Sequence, residues 1–395
     1  MMASVRAAAW GVVILVAGLL AGCGGGSAGG GPASGAAQPA DSVNLDYQVS
    51  MPVGKVHWPH HGPSMDAAAH ERLMSTLWVS NNFGLYQGNG TPESMYLHDG
   101  LDIVLPNGTP LYAMADGRVV YRGSAGNGEM LVVEDTQGEG WCWMYVHVGQ
   151  VRVKLGDPVR NGQQLAVVDF RDGLQHLHLN RARAVPGQGW GENYLARDPT
   201  PLLVLKDAEP PEIQSPLLYL RSGSEELLGR GSGSTVSGRV DIVAALRDRG
   251  SYANPVPGAV PVQRLAPSLI AWEISDGSGR VLKSGRFDFT RFGIQGFLQS
   301  PQRKARQAQF LFKVPEALGG DVQWRTGFSY YLLNHLHQGL TEVGDARPQD
   351  QDWDTTELLA DGRRLWPDGA YTVQITVTDA TGLSARATET IQVRN

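Results

Sequence analysis

The chain reads as a mainly β protein, an antiparallel β-sheet domain followed by a β-sandwich. Three observations predict this. From Phe83 onward, short runs of alternating apolar and polar residues are separated by glycine turns, the pattern of half-buried antiparallel strands. Lys206-Asp-Ala-Glu-Pro-Pro211 then sets two prolines beside charge, the composition of a linker. Near the end, Tyr371, Val373, Ile375 and Val377 alternate with Thr372, Gln374, Thr376 and Thr378, again with period two. With 395 residues the chain has length for two or three domains and a sizeable core.

In chain order, the N-terminus has the form of an export signal. Arg6 supplies a positive start, and 7–20 is apolar apart from two glycines. That run falls short of the roughly 20 residues a membrane span needs. It ends in Leu20-Ala21-Gly22-Cys23, which resembles the bacterial lipobox. The resemblance implies a lipoprotein signal peptide over 1–22, cleavage before Cys23 and lipidation of Cys23. The competing reading is a plain secretory signal with an incidental cysteine. Residues 24–40 contain only Gly, Ser, Ala, Pro and Gln, so 23–45 is expected as a tether that cannot bury enough apolar surface to fold. Gly24 stands where inner-membrane retention in enteric bacteria is associated with aspartate. The expected place is therefore the cell envelope, anchored in the outer membrane and facing the periplasm of a Gram-negative host. With Cys23 acylated, Cys142 is the one other cysteine and no intrachain disulfide forms. A net charge of −6 argues against a nucleic-acid partner.

The first folded domain is expected over 46–205. Residues 64–78 begin with an N-cap serine and an acidic first turn and hold good helix formers, which predicts a helix. Strands are predicted at 110–121, 130–134, 141–148 and 164–169, with glycine turns between them. The second domain is expected over 210–395. There Val240, Ile242 and Ala244 alternate, then Ile270, Trp272 and Ile274, and after the turn at 379–382 a last strand closes at Val393. This part is similar to immunoglobulin or fibronectin modules. Residues 249–352 are expected as an elaborated insertion.

Candidate chemistry begins at Gln175-His-Leu-His-Leu-Asn180. Period two puts Leu177 and Leu179 on one face of a strand and His176, His178 and Asn180 on the other. Two imidazoles so placed, about 6.6 Å apart at Cα, can share a metal, or one can ligate while the other works on bound water. Upstream lies His98-Asp-Gly-Leu-Asp102. On a straight strand its end residues would stand about 13 Å apart, so a bend at Asp99-Gly100 is required for them to meet. His98, Asp102 and His178 would then offer two nitrogens and one oxygen, a set that suits zinc with a position left for water. A third element is Met144-Tyr-Val-His147. Strict parity groups Trp141, Trp143, Tyr145 and His147 on one face, a candidate substrate groove, or alternatively aromatic packing against the N-terminal helix. Cys142, Met144, Val146 and Val148 read as core, where an apolar surround keeps the Cys142 thiol inert.

His98-x-x-x-Asp102, Tyr145-Val-His147 and His176-Leu-His178 together resemble, in order and spacing, the lysostaphin-type zinc endopeptidases, the LytM-domain family. Phe83-Gly84, the run from Pro110 and the run from Val153 add to the likeness, which covers roughly 77–184. It implies a LytM-type antiparallel β-sheet peptidase domain, one zinc ion per chain held by His98, Asp102 and His178, and His147 and His176 as catalytic partners. It implies cleavage of peptide bonds in peptidoglycan peptides. The sequence departs from the family pattern at three places. Asn180 replaces an acid expected to orient a ligand from behind, and its amide can hydrogen-bond but brings no charge; Leu174 replaces a glycine; and the oxyanion tyrosine has Tyr86 and Tyr96 as candidates, both counted with the groove.

His335-Leu-His337 has no HxxxD companion and reads as structural or surface. His57, His60, His61 and His70 precede the strands and read as solvent-exposed, with His60-His61 placed to shade a cleft. Three functions compete: a lipid-anchored zinc endopeptidase, a catalytically silent LytM-type regulator of a cell-wall amidase, and a glycan-binding surface protein. Retention of all three ligands and both histidines favours the first. The sandwich is expected to orient the peptidase, bind wall or dock an envelope protein.

Overall fold

The strand Cys142–Gly149 is buried on both faces, because every position except His147 is fully enclosed. In the computed structural model it lies between Glu129–Asp135 and His176–Ala184. Leu101–Val104 and then Val79–Asn81 extend the sheet past the histidine strand, and Gly117–Ser124 and Pro158–Val159 extend the other side. All these pairings are antiparallel, as the alternation predicts. The structure describes residues 56–395 apart from 63–65, 67, 70–71, 73–77, 88–95, 126, 137–138, 188, 191–193, 206, 225, 251–264, 296–307, 310, 314–326 and 337–352. The signal peptide, Cys23 and the tether therefore lie outside the described residues, as do His70 and His337. Of the helix expected over 64–78, Ala68, Ala69 and Arg72 are helical. The Oδ1 of Asp66 accepts from the Ala69 N–H at 2.6 Å, capping the first turn.

The two faces of the sheet serve different cores. Leu177, Leu179, Ile103, Trp143 and Tyr145 cluster on one side. Met144, Val146 and Ala182 are buried on the other, beside His178 and Asn180. Alternation along Cys142–Gly149 breaks near its end. Val146 pairs with Met130 and Val148 with Glu129, so His147 is an extra residue in the ladder, and its φ is 65°. A left-handed residue at such a bulge re-aims its side chain.

That bulge corrects the expected groove. His147 leaves the parity of Tyr145 and Trp143, and those two, at 0% and 1% exposure, pack in the core on the opposite face. The Tyr145 hydroxyl donates to the Tyr112 carbonyl and accepts from the Met114 N–H, each at 3.2 Å, an internal tie rather than a substrate contact. Trp141 is equally buried, with the guanidinium groups of Arg183 and Arg197 at 5.3 and 5.6 Å from its ring. Tyr86 is buried against Phe312, whereas Tyr96 is exposed. His60 and His61 are also buried, at 7% and 4%, contrary to the expectation of solvent-exposed loop residues.

From Glu212 onward the chain builds two five-stranded sheets. One orders Leu227–Arg230, Glu212–Arg221, Arg239–Arg247 and Ser329–Leu332, with Trp353–Asp354 also on Arg239–Arg247. The other orders Thr235–Val236, Ser384–Val393, Gly369–Thr378, Leu269–Asp276 and Val281–Asp288. Tyr219, Ile242 and Ala244 of the first sheet meet Ile270, Trp272, Val373 and Ile375 of the second in one buried cluster. That cluster does not stop at the proline linker. It runs on through Phe289, Phe292 and Ile294 to Phe83, Met144, Val146 and Tyr194. Gly293–Gln295 pairs with Tyr194–Arg197 and so adds a strand to the sheet that carries His176–Ala184. Val43–Asn395 accordingly forms one compact unit. Residues 249–352, expected as an insertion, supply strands to each of the three larger sheets.

Candidate metal centre

Asp102 and His178 stand directly opposite each other on paired strands, so antiparallel register alone brings them together. His98 precedes the Leu101–Val104 strand, and the chain bends at Gly100 as the spacing requires. The glycine there serves space. A Cβ at Gly100 would lie 2.7 Å from the Leu179 carbonyl oxygen and 2.9 Å from His178 Nε2. The result joins His98 Nε2 to Asp102 Oδ1 at 3.1 Å, His178 Nδ1 to Asp102 Oδ1 at 2.7 Å, and His98 Nε2 to His178 Nδ1 at 3.1 Å. These three residues form a group able to hold a metal ion, with donor atoms within 4.8 Å of one another.

Each donor is aimed by a bond on its far side. His98 Nδ1 donates to the Asn82 carbonyl at 3.0 Å, which leaves Nε2 facing the centre. His178 Nε2 lies 3.2 Å from Asp99 Oδ1, which leaves Nδ1 facing it. Asp102 Oδ2 accepts from Asn81 Nδ2 at 2.6 Å, which leaves Oδ1. Such outer partners fix tautomer and ring orientation in metal sites. Asp99 is in turn held by the Tyr194 hydroxyl at 2.8 Å, and its backbone carbonyl accepts from Asn180 Nδ2 at 2.8 Å. Asn180, fully buried, thus supports the site through the bend.

Electrostatics agree with this wiring. Burial by itself would raise the Asp102 carboxyl, but the charge of His98 and the hydrogen bonds of His178 and His98 outweigh it and hold the group well below the carboxylate range. Burial opposes charge on His178, yet Asp102 and Asp99 push its pKa up to about 10. Two carboxylates that hold a proton so firmly also favour a divalent cation in its place. His147 goes the other way. Burial first, then the neighbouring His176 and His178, push it down to about 4, so it is neutral at neutral pH.

His147 and His176 flank this centre. Their rings lie 4.8 Å apart, and Phe170 packs against both at 4.6 and 4.4 Å. His176 Nδ1 donates to the Leu174 carbonyl at 2.7 Å, and its Nε2 is 3.5 Å from Asp102 Oδ1. All five residues singled out by the three motifs are therefore brought together. The sequence pattern described as Peptidase family M23 matches residues 96–186. Those residues are an M23 peptidase domain.

The M23 domain has named relatives. The chain is 33% identical over 129 residues to the cell division protein DipM of Caulobacter vibrioides, covering 32% of this chain and 17% of that protein. It is 26% identical over 134 residues to the peptidoglycan DD-endopeptidase ShyA of Vibrio cholerae, covering 33% and 31%. Lysostaphin of Staphylococcus simulans is 29% identical over 144 residues, covering 35% and 28%. The matches span less than a third of each relative's length. Among solved structures, the catalytic domain of lysostaphin from Staphylococcus simulans aligns at 26% identity over 33% of this chain and 94% of that one, with a TM-score of 0.26.

Other histidines stand apart from the M23 centre. His335 is buried, with Nε2 at 3.9 Å from Asp241 Oδ1, and it joins no metal-binding group among the described residues. His57 bonds the Ala113 carbonyl and Asn161. Cys142 is buried and burial pushes its thiol up to about 12, as expected of an inert core cysteine. Sequence reasoning missed Asp99, Asn82, Phe170 and Tyr194. Asp99 was visible as an acid inside the HxxxD motif, but which ring it faces depends on strand pairing.

Proposed function

We propose that the chain is a zinc-dependent endopeptidase that hydrolyses peptide bonds in peptidoglycan stems or cross-links, anchored in the cell envelope through a lipidated Cys23. The observation that carries this reading is that every donor of the His98, Asp102 and His178 set is separately oriented toward one point. Two imidazoles and one carboxylate are the donor set of a catalytic zinc site that keeps a position open. Zinc, when bound there, supplies Lewis-acid polarisation of the scissile carbonyl and acidifies its water.

The chain's own residues do the rest. His147, neutral at neutral pH, accepts a proton from the attacking water. His176, tied at Nδ1 to the Leu174 carbonyl, presents Nε2 and shares the proton traffic to the leaving amine. Phe170 packs on both rings and limits their rotation. The mostly buried centre keeps water from loosening these interactions, with His176 and His178 side chains at 13% and 12% exposure. The sandwich-like C-terminal region braces the M23 domain, since it shares its core and a strand with it.

The test is incubation of the zinc-loaded protein with defined muropeptides, with products identified by mass spectrometry. New peptide termini that vanish on chelation and return with zinc are expected. An unchanged digest from protein that holds stoichiometric zinc would instead point to a silent regulator.

A further inference from the structure

A second acidic cluster, two of its three members buried and the third half-buried, lies where the linker meets the C-terminal sheets, separate from the His98, Asp102 and His178 group. Asp207 follows the M23 domain, Asp248 follows the Arg239–Arg247 strand, and Asp379 opens the turn between Gly369–Thr378 and Ser384–Val393. One oxygen from each of the three lies within 4.8 Å of the others. Asp248 is 1% exposed and Asp379 3%.

Each of these two carboxylates has one satisfied oxygen and one bare one. Asp379 Oδ1 accepts from the N–H groups of Thr381, Gly382 and Leu383 at 2.7, 2.8 and 3.0 Å, and from the Thr381 hydroxyl at 2.9 Å. Asp248 Oδ1 accepts from the Gly250 N–H at 3.0 Å. The Oδ2 atoms of Asp248 and Asp379 are buried and have no hydrogen-bond partner among the described residues. The charges that raise Asp248 are those of Asp379 and Asp207, both of its own sign. Buried like charges of this kind are neutralised by protons or by a cation. An all-oxygen donor set selects a hard divalent ion over a transition metal.

We propose that Asp207, Asp248 and Asp379 bind a calcium ion that fastens the linker to both C-terminal sheets. The site connects to the hydrolytic centre through hydrogen bonds. Asp248 exchanges two backbone bonds with Leu265, each at 2.8 Å. The adjacent Ala266 exchanges two with the Asn82 side chain, at 2.8 and 2.7 Å. The Asn82 carbonyl in turn accepts from His98 Nδ1. The ion therefore tightens a strut that ends on a zinc ligand.

The test titrates calcium chloride calorimetrically into the full chain, with zinc loaded beforehand so that the histidine site is filled. Saturable binding is expected with a Kd on the order of 0.1–1 mM, the range of rigid extracellular oxygen sites. At tenfold excess over Kd the melting temperature should rise by roughly 2 °C. Both responses should vanish in Asp248→Asn/Asp379→Asn and persist in His98→Ala. Asp248→Asn alone, close in shape to the protonated acid, guards against misfolding and should weaken calcium binding at least about tenfold. Absence of binding and of a thermal shift in the unsubstituted chain would overturn the proposal. So would an unchanged calcium response in either folded variant.

Discussion

At the M23 centre Asp99 and Asp102 face imidazoles, whereas at the junction Asp207, Asp248 and Asp379 face one another. Asp102 and Asp248 are both buried, yet their carboxyls move in opposite directions. Asp102 is held well below its ordinary value because His98 and His178 stabilise its charge. Asp248 is pushed up to about 8, by burial first and by Asp379 and Asp207 after it. The difference teaches that burial raises both carboxyls, and that the sign of the neighbouring charges decides whether the rise is reversed or reinforced. It also separates the metals each group suits, a nitrogen-containing set for zinc and an oxygen-only set for calcium.

Removing Asp102 tests the contrast most severely. Asp102→Ala should abolish zinc binding and hydrolysis together, a loss on the order of 10³-fold or more in rate, measured by metal analysis and muropeptide turnover. Calcium binding should be untouched. His147→Ala should keep stoichiometric zinc and lose about 10²–10⁴-fold in kcat, and full activity in that variant would remove the base assigned here. Asp99→Asn should cost about 10–100-fold in zinc affinity by competition titration, because His178 Nε2 loses its carboxylate. A variant that binds zinc as tightly as the parent would make Asp99 a bystander.

A separate effect, read on stability rather than on activity or zinc affinity, is the response to pH at the junction. The folded pKa of Asp248, about 8, lies above its ordinary 3.8, so between those values the folded chain keeps a proton that the unfolded chain has released. Stability therefore falls as pH rises from about 4 to about 8, by at most ~1.4 kcal/mol per unit, and levels off beyond. Asp198, raised to about 6 by burial, adds a slope of the same sign over the lower part of the window. Chemical denaturation in calcium-free buffer should show the fall, with a shallower slope in Asp248→Asn above pH 6. Equal slopes for the two proteins would mean that Asp248 ionises freely.

Much of the site is legible before folding is considered. His98, Asp102, His147, His176 and His178 stand out by spacing, and the need for a bend between His98 and Asp102 follows from strand geometry alone. The strands around them follow from alternation. The failures are instructive because each has a local cause. Parity put Trp143 and Tyr145 beside His147, but one left-handed residue shifts the register and sends the aromatics to the opposite core. His60 and His61 belong to a loop that is nevertheless buried.

The amino-acid order determined the period-two strands, the identities of the donors and the chemistry they can perform, because these depend on residue type and short-range spacing. What pairs with what was decided in three dimensions. Only there does Asp99 find His178, does Ala266 hold the Asn82 that aims His98, and do three aspartates from distant strands and a linker converge. The physical reason is that hydrogen bonds and Coulomb forces act over a few ångströms of space, and the sheets bring together residues that the chain itself keeps far apart.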